Sequence, residues 1–369
     1  MRASVLREVG ADLGVEALAD PRPGYGEVLV EVAACGVCHT DLHVMKGEVA
    51  FPAPCVLGHE ITGHVAELGA GVSGLNVGDR VACSFIMPCG RCRHCVRGHE
   101  DLCETFFAFN RLKGTLYDGT SRLADLDGKP IAMYSMGGLA EYAVVPATDV
   151  FPLPAGLDLN NAAILGCSVF TSYGAVKNVA RLGVGESVAV VAVGGIGLNI
   201  VQMAAAFGAS TIVAVDVSAE KLALARELGA THVVDASEED AVARVREITG
   251  GRGVDVAFEA LGAATTVETA IGSVDDGGRV VLVGIAPAGV TARLNIAHVV
   301  RRKIQILGSY GARARTDMPA VLELAATGRI QVDPLITDRF DLDGAGAAYR
   351  ALDERRIVGR AVVDVKPKD

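Results

Sequence analysis

The 369-residue sequence contains no apolar run long enough to cross a membrane as a helix. Such a helix needs about 20 predominantly apolar residues, and glycine or a charged residue interrupts every apolar stretch of this chain. The first residues lead into Arg7 and Glu8 instead of the uninterrupted apolar segment of a secretory signal. We therefore expect a cytoplasmic protein with no membrane partner.

An excess of basic residues is also missing. The chain has 34 lysines and arginines against 44 aspartates and glutamates, which gives a formal net charge of −10, and the two signs are mixed along the sequence. This balance favours solubility and argues against nucleic acid or an anionic membrane as the main partner. Internal repeats and low-complexity tracts are absent as well, and the length suggests about two ordinary domains.

Disulfides are not expected, although the chain has nine cysteines. The count is odd, and cysteines of a cytosolic chain are more often metal ligands or core thiols. Four of them are closely spaced, as Cys-x2-Cys-x2-Cys-x7-Cys: Cys89, Cys92, Cys95 and Cys103. Four thiolates at short spacing can surround Zn²⁺ with no open position, which predicts a structural zinc site. An iron–sulfur cluster also takes four thiolates, but its common spacings differ.

A second group of possible metal ligands lies upstream. Cys38 supplies a thiolate, His59 an imidazole, and Glu60 a further oxygen donor. Two or three protein ligands on loops, with one position left open, would make a catalytic zinc site. Taken alone, Cys38 would be a small buried side chain and His59 a hydrogen-bonded core histidine. The downstream cysteine cluster makes the zinc interpretation the better one.

The two halves of the chain differ in pattern. Residues 1–157 contain short segments in which polar and apolar residues alternate, such as 27–32 and 61–67, which is typical of half-buried strands. Residues 104–138 form a polar stretch that is either an ordered loop or a linker. From about residue 161, six apolar segments alternate with helical patterns, and the segments are 187–193, 211–215, 232–234, 254–258, 279–283 and 303–308. Near-continuous apolar strands of this kind predict a doubly wound parallel sheet.

A glycine-rich turn follows the first of these strands. It reads Ala192-Val193-Gly194-Gly195-Ile196-Gly197, it opens an apolar helix, and Asp216 ends the next strand. In a dinucleotide fingerprint Gly194 lets the backbone approach the pyrophosphate, Gly197 lets the helix pack on the strand, and Asp216 accepts from the ribose hydroxyls. Ala192 stands where the fingerprint has its first glycine, so the turn must accommodate a Cβ. A glycine-rich turn of an unrelated α/β protein is the alternative.

Three segments together resemble the catalytic-zinc motifs of zinc-dependent medium-chain alcohol dehydrogenases: Gly36-Val37-Cys38-His39-Thr40-Asp41, Gly58-His59-Glu60 and Gly166-Cys167. The resemblance extends from Val28 to Arg360. It implies an α/β protein with a GroES-like β-rich catalytic domain, formed by residues 1–157 and 310–369 and carrying both zinc sites. Residues 158–309 are expected to form a Rossmann domain with a six-stranded parallel sheet.

The resemblance also implies a set of site residues. Cys38, His59 and Cys167 would hold the catalytic zinc, an alcohol oxygen or water would be the fourth ligand, and Glu60 would exchange onto the metal. Asp41 would accept from the free ring nitrogen of His59. Further residues match family positions by role: Thr40 and His43 as the proton relay; His39, Thr171, Gly194, Gly195, Ile196, Gly197, Asp216, Lys221 and Arg360 as cofactor contacts; Val49, Phe85 and Tyr134 as an apolar substrate pocket.

The expected activity is reversible hydride transfer between a primary alcohol or aldehyde and NAD(H). Asp216 would repel a 2′-phosphate and no arginine follows it directly, although Lys221 could compensate and permit NADP(H). Alternatives are an NADPH-dependent reductase of a functionalised aldehyde such as a semialdehyde, a zinc-free quinone or enone reductase, and a non-catalytic nucleotide-binding relative. Leu42 stands where formaldehyde–thiol adduct dehydrogenases often have an acidic residue, which disfavours that specialised role. We expect a homodimer joined through the edge strand at 303–308, while tetramers also occur in the family.

Overall fold

The structure is a computed structural model that describes residues 1–366. The chain divides into two compact units. The first comprises Met1–Phe170, Arg313–Gly328 and the chain from Val332 onward, and the second comprises Thr171–Ala312 and Arg329–Gln331. Within residues 1–366, no helix is long and apolar enough to cross a membrane.

The β-strands of the described residues are β1 Arg2–Leu6, β2 Gly14–Ala17, β3 Glu27–Gly36, β4 Cys55–Val56, β5 Ile61–Leu68, β6 Arg80–Cys83, β7 Leu123–Ala124, β8 Pro130–Met133, β9 Tyr142–Pro146, β10 Val150–Pro152, β11 Ser187–Val191, β12 Thr211–Asp216, β13 His232–Asp235, β14 Val254–Glu259, β15 Val274–Leu282, β16 Gln305–Gly308, β17 Ile336–Asp341 and β18 Arg360–Asp364.

The α-helices are α1 His39–Met45, α2 Ser168–Tyr173, α3 Gly195–Ala206, α4 Ala219–Glu227, α5 Ala241–Ile248, α6 Ala264–Ser273, α7 Ile296–Arg302, α8 Ala314–Ala326 and α9 Ala345–Asp353. Short 3₁₀ helices cover Cys95–Arg97, Glu100–Leu102, Ala147–Asp149, Asn161–Gly166 and Asp333–Leu335, and π-helical turns cover Phe106–Arg111 and Gly174–Ala180.

The first unit is built around β3, whose Val- and Ala-rich sequence is buried along nearly its whole length. This strand pairs antiparallel with β5, β9 and β18 in a sheet ordered β10-β6-β5-β3-β18-β17. A second sheet is ordered β2-β1-β4-β8-β7. Because β18 pairs with β3, the C-terminal segment completes the sheet that leads into α1.

The first unit extends to Phe170, beyond the expected boundary at residue 157. The 3₁₀ helix Asn161–Gly166 packs on β3, β5, β6 and β18. Phe85 donates its backbone N–H to Gly166 O at 2.9 Å, and a Cβ on Gly166 would lie 1.9 Å from Cys83 O. This close approach attaches the segment that carries Cys167 to the first unit, although the composition of the chain changes earlier.

The second unit contains a six-stranded sheet ordered β13-β12-β11-β14-β15-β16, in which every pair is parallel. This is the strand order of doubly wound dinucleotide-binding sheets, and the six predicted strands are confirmed. Small and β-branched side chains fill its core, among them Ala189, Val213 and Val280. The predicted helix after β12 is α4, which is capped by Ser218 through the backbone N–H of Lys221 at 3.4 Å.

The stretch 104–138 is an ordered part of the first unit, which decides between the two alternatives left open by its sequence. It contains the π-helical turn Phe106–Arg111 and the strands β7 and β8. Asn110 is fully buried in that turn and donates its side-chain amide to Ser135 O at 2.7 Å. The hydrogen bond holds the turn against the chain that follows β8.

Candidate active site and metal centres

Four buried side chains of the first unit converge: Cys38, His59, Glu60 and Cys167. Each offers one ligand atom, and the four atoms lie within 4.8 Å of one another. Cys38 directly precedes α1, and Cys167 lies between the 3₁₀ helix Asn161–Gly166 and α2. Gly58, before His59, has φ +94°, and a Cβ there would lie 2.7 Å from Leu139 N, so this approach requires glycine.

One of the two cysteines of this cluster is held as a thiolate, whereas a hydrogen bond to Cys38 and burial raise the pKa of Cys167 well above its ordinary value. A hydrogen bond from the Cys167 thiol and the nearby His59 lower the pKa of Cys38 well below its ordinary value, despite burial. Burial disfavours a charged His59, yet the Asp41 carboxylate and the Cys38 thiolate raise the pKa of His59 well above its ordinary value. A thiolate is therefore stable in this interior, and thiolate is the form of cysteine that binds Zn²⁺.

Glu60 adds a buried carboxylate to the same cluster. Its Oε1 is ion-paired with the guanidinium of Arg360, whereas Oε2 is buried with no hydrogen-bond partner among the described residues. Burial, partly offset by Arg360, raises the pKa of Glu60 to about 7. A carboxylate with one unpartnered oxygen, in a cluster with two sulfurs and an imidazole, fits a metal cation. Arg360, expected to contact a cofactor, is only 5% exposed at this position.

Asp41 orients the imidazole of the cluster. Its Oδ1 accepts from Nδ1 of His59 at 3.0 Å and from the backbone N–H of Gly58 at 3.1 Å, which leaves Nε2 of His59 available to a metal. Its Oδ2 accepts from the hydroxyl of Tyr349 at 2.9 Å. Sequence reasoning missed Tyr349, because it lies 308 residues away along the chain and no motif marks it.

The two residues expected to relay protons lie on α1. The Sγ of Cys38 lies 3.6 Å from Oγ1 of Thr40, so the hydroxyl is adjacent to the cluster. Nδ1 of His43 is bound to the carboxylate of Glu48, which sequence reasoning also missed. A histidine that donates from Nδ1 keeps Nε2 as an acceptor. His39, the first residue of α1, is exposed.

Two aromatic rings pack edge-on against the imidazole of His59. The ring centroids of Phe85 and Tyr134 lie 5.9 and 6.0 Å from the imidazole centroid. Phe170 packs edge-on against Phe85 at 6.2 Å, and Phe51 against Tyr134 at 4.9 Å. The expected pocket residues Phe85 and Tyr134 thus lie at the cluster, with two phenylalanines that were not expected.

The third expected pocket residue is Val49. It is half-buried just after α1, and its backbone N–H donates to His43 O at 3.2 Å.

The four closely spaced cysteines form a second cluster. Their sulfur atoms also lie within 4.8 Å of one another. Backbone N–H groups of Cys89 and Phe106 donate to Sγ of Cys103 at 3.3 and 3.4 Å, and that of Cys92 donates to Sγ of Cys89 at 3.3 Å. Burial opposes ionisation, but backbone N–H groups lower the pKa of Cys92 to about 6. Four sulfur donors this close together fit a structural Zn²⁺.

The remaining cysteines are unpaired, and no disulfide joins any of the nine within residues 1–366. Cys35, Cys55 and Cys83 are buried, as core thiols are expected to be.

The glycine-rich turn of the second unit connects β11 to α3. Ala192 has φ +70°, a conformation that costs an alanine about 1–2 kcal/mol. A Cβ on Gly197 would lie 2.1 Å from Ala192 O, so only glycine permits this packing of helix on strand. A Cβ on Gly194 would meet nothing within 4 Å, so the space above it is open. Gly195 and Ile196 begin α3, whose N-terminus can accept an anionic group.

Asp216 supports this turn from the end of β12. Its Oδ2 accepts the backbone N–H of Val193 at 2.8 Å, and its Oδ1 accepts those of Val217 and Ser218 at 2.8 and 3.0 Å. The bond from Val193 stabilises the turn in which Ala192 replaces glycine, and the other two hold the carboxylate at the end of β12.

Two other expected cofactor residues belong to the helices of this unit. Lys221 lies in the first turn of α4, and Thr171 is buried in α2.

Comparison with known proteins shows that this chain is similar to alcohol dehydrogenases over nearly its whole length. Family models match as "Alcohol dehydrogenase GroES-like domain" over residues 24–155 and "Zinc-binding dehydrogenase" over residues 195–327. The chain is 35% identical to the putative alcohol dehydrogenase D of Mycobacterium tuberculosis over 366 residues, which cover 98% of this chain and 99% of that protein.

Solved structures are similar over the same extent. An alcohol dehydrogenase zinc-binding domain protein from Burkholderia ambifaria superposes with a TM-score of 0.94 at 33% identity, covering 99% of both chains. The benzyl alcohol dehydrogenase of Acinetobacter calcoaceticus does so with a TM-score of 0.92 at 30% identity and the same coverage. On this evidence the chain belongs to the zinc-dependent medium-chain dehydrogenase/reductase family of oxidoreductases.

Proposed function

We propose that the protein is an alcohol dehydrogenase that interconverts a primary alcohol and its aldehyde, with NAD(H) as hydride carrier. One zinc ion would be held by Cys38, His59 and Cys167, and a second, structural zinc by the four-cysteine cluster. The observation that supports the catalytic site most strongly is the convergence of two sulfurs, an imidazole and the Glu60 carboxylate, one oxygen of which has no hydrogen-bond partner among the described residues.

When bound, zinc supplies Lewis acidity that lowers the pKa of an alcohol hydroxyl. The protein residues supply the rest. Asp41 would hold His59 in the tautomer that presents Nε2 to the metal. The aromatic rings of Phe85 and Tyr134 would exclude water from the space beside His59. The hydroxyl of Thr40, 3.6 Å from Sγ of Cys38, would take the alcohol proton. His43, bound at Nδ1 by Glu48, can receive that proton at Nε2 and pass it outward.

The aromatic side chains near His59 favour an alcohol with an apolar substituent. Four of them lie around or behind the imidazole, and aromatic rings attract one another in edge-to-face contacts. That the similar structure from Acinetobacter is a benzyl alcohol dehydrogenase agrees with this choice. Reduction of a functionalised aldehyde by NADPH remains the second candidate, for which the only specific support is Lys221 in the first turn of α4.

The preference for NAD(H) rests on Asp216. Its carboxylate ends β12, where the ribose of a dinucleotide binds in doubly wound sheets, and its charge would repel a 2′-phosphate. Three backbone N–H groups hold this carboxylate in place, so it cannot readily turn away.

We also propose a homodimer formed through β16. This strand is the last of the six in its sheet, and Ile306 on it is 37% exposed. Other exposed apolar side chains occur in the chain segment just before β16, namely Ile285, Val290, Leu294, Ile296 and Val300. An apolar edge strand invites pairing with a second copy. Light scattering that gave only the 38.1 kDa mass of one chain would refute the dimer.

The activity is tested directly by absorbance at the nicotinamide band. The protein is incubated with NAD⁺ or NADP⁺ and a panel of aliphatic and aromatic primary alcohols, and with NADH or NADPH and the matching aldehydes. We expect turnover with NAD⁺ and apolar primary alcohols, and about two zinc ions per chain by elemental analysis. Absence of turnover with the whole panel, or iron in place of zinc, would contradict the proposal.

A further inference from the structure

Tyr349 of α9 is connected to the metal cluster through a single carboxylate. Its hydroxyl donates to Oδ2 of Asp41 at 2.9 Å, while Oδ1 of Asp41 accepts from Nδ1 of His59 at 3.0 Å. Tyr349 and Asp41 are 0% exposed and His59 is 1% exposed. Both oxygens of the carboxylate are thus occupied by protein donors, at a depth where bulk water cannot replace a lost donor.

Asp41 depends on these donors for its stability. Among the described residues it has no lysine or arginine partner, and its hydrogen-bond donors are Tyr349, His59 and the backbone N–H of Gly58. A buried carboxylate oxygen that loses its donor bears the full desolvation cost of an unsatisfied polar group. It therefore turns toward any other donor within reach. Such a rotation would move Oδ1 away from the line of the His59 N–H.

We propose that Tyr349 is a positioning residue for the metal ligand His59. Its hydroxyl fixes the rotation of the Asp41 carboxylate, and Asp41 in turn fixes the tautomer and ring orientation that present Nε2 of His59 to zinc. Helix α9, near the C-terminus of the chain, thereby takes part in holding the catalytic metal. The inference rests on the proposed zinc site formed by Cys38, His59 and Cys167.

The test is the rate at which zinc is lost from Tyr349→Phe, which removes one oxygen and keeps the ring. Protein containing two zinc ions per chain is mixed with an excess of a chromogenic chelator, and zinc release is followed with time. The phase that belongs to the catalytic site is the one missing from Cys167→Ser. Loss of an outer hydrogen-bond partner typically weakens metal binding about 10- to 100-fold, and we expect this phase to be about tenfold faster in Tyr349→Phe.

Two controls separate positioning from general loosening. The four-cysteine site reports on the same molecule, and its release phase should not change. Lys46→Met removes another contact to α9, the exposed ion pair between Asp353 and Lys46, which directly follows α1, without touching Asp41. Its two release phases should match those of the native protein. The visible spectrum of Co²⁺ bound at the catalytic site should change in Tyr349→Phe and not in Lys46→Met.

A pair of further variants shows whether Tyr349 acts through Asp41. In an Asp41→Asn background, adding Tyr349→Phe should cause no additional loss of zinc, and this pair carries the test if Tyr349→Phe alone does not fold. The inference is overturned by release at the native rate in Tyr349→Phe, by equal acceleration of both phases, or by further acceleration in the Asp41→Asn background. A native protein with zinc only at the four-cysteine site would overturn the proposed function and this inference together.

Discussion

Glu60 and Arg360 form an ion pair in which both side chains are buried, 0% and 5% exposed, and Glu60 belongs to the same cluster as Cys38 and Cys167. Removing one partner of such a pair leaves an uncompensated charge, which typically costs about 3–5 kcal/mol. We therefore expect Arg360→Met to lower the thermal midpoint of the protein strongly. Arg22→Met breaks the exposed pair of Arg22 with Glu67 and should cost no more than about 1 kcal/mol.

A double variant tests whether the unpaired Glu60 carboxylate causes the loss of stability in Arg360→Met. If the cost comes from the stranded carboxylate, then Arg360→Met combined with Glu60→Gln should recover much of the lost stability, as measured by differential scanning calorimetry. A double variant as unstable as Arg360→Met alone would show that the guanidinium acts through packing instead.

The two cysteine clusters should respond differently to substitution. Cys92→Ser removes one of four ligands of a closed site, so we expect loss of one zinc ion per chain together with a lower thermal midpoint. Cys167→Ser removes a ligand from the open site, so we expect loss of turnover while the fold, checked by circular dichroism, is retained. Equal effects of both variants on activity and stability would contradict separate roles.

The buried carboxyl group of Asp149 should make the stability of the protein depend on pH. It is 0% exposed, one oxygen accepts from Oγ of Ser84 at 2.5 Å, and the other has no partner among the described residues. Burial raises the pKa of Asp149 well above its ordinary value. The native state therefore holds this proton more tightly than the unfolded chain does. Its contribution to stability is fully present below the unfolded pKa and is lost as the pH rises toward the folded one.

Asp149→Asn has no carboxyl group to ionise, so it should not lose this stability as the pH rises. Its amide oxygen still accepts from Ser84. We expect the variant to gain stability relative to the native protein as the pH is raised from about 4 to 8, by an amount on the order of 1–3 kcal/mol, the cost of an unsatisfied buried group. Urea denaturation at several pH values measures the difference. A difference independent of pH would mean that Asp149 is ionised or protonated alike in both states.

Much of this architecture follows from local sequence. The Val- and Ala-rich segments around Val190, Val213 and Phe258 could be assigned to parallel strands because both faces of such a sheet are buried. The cysteine spacing identified the four-cysteine cluster because ligands of one metal are often close along the chain, whereas Cys167, far from Cys38 in sequence, was expected only from the family resemblance.

What sequence did not predict depends on distant packing. Tyr349 meets Asp41, and Arg360 meets Glu60, across about 300 residues, and no periodicity encodes such a meeting. The first unit extends beyond residue 157 because Gly166 packs against Cys83, a steric fit that composition does not reveal. Glu48, next to His43 in space, lies on the turn after α1 and carries no recognisable pattern.

The cofactor preference can be tested at Asp216. The native protein should have a higher kcat/KM with NAD⁺ than with NADP⁺. Asp216→Asn keeps an acceptor for backbone N–H groups such as that of Val193 and removes the charge, so we expect the ratio to shift toward NADP⁺ by about tenfold, which corresponds to roughly 1.4 kcal/mol. Lys221→Met is the matched variant: it removes the positive charge that could favour NADP⁺, so it should reduce any use of NADP⁺. A native preference for NADP⁺ would contradict the proposed assignment.

The proton relay is the most specific mechanistic prediction. Hydride can leave the substrate carbon quickly only once the hydroxyl proton has gone, and the buried aromatic side chains Phe85 and Tyr134 restrict water near His59. The hydroxyl of Thr40 lies at the cluster, but a threonine hydroxyl is not a base near neutral pH. A side chain that can both accept and release a proton must therefore connect it with solvent, and the imidazole of His43 is the group that we expect to do so.

Thr40→Ala should therefore reduce alcohol oxidation by roughly 10²-fold or more, the scale of a lost acid–base step, with zinc still bound. His43→Gln should cost less, because water can partly replace the outer link, and added imidazole should restore part of the rate in this variant alone. Glu48→Gln, which keeps an acceptor for Nδ1 of His43, should retain more activity than Glu48→Ala if Glu48 serves to orient the ring. The measurement is kcat for a good alcohol substrate, with zinc content determined in parallel. Near-native kcat in zinc-loaded Thr40→Ala would mean that the proton leaves by another path.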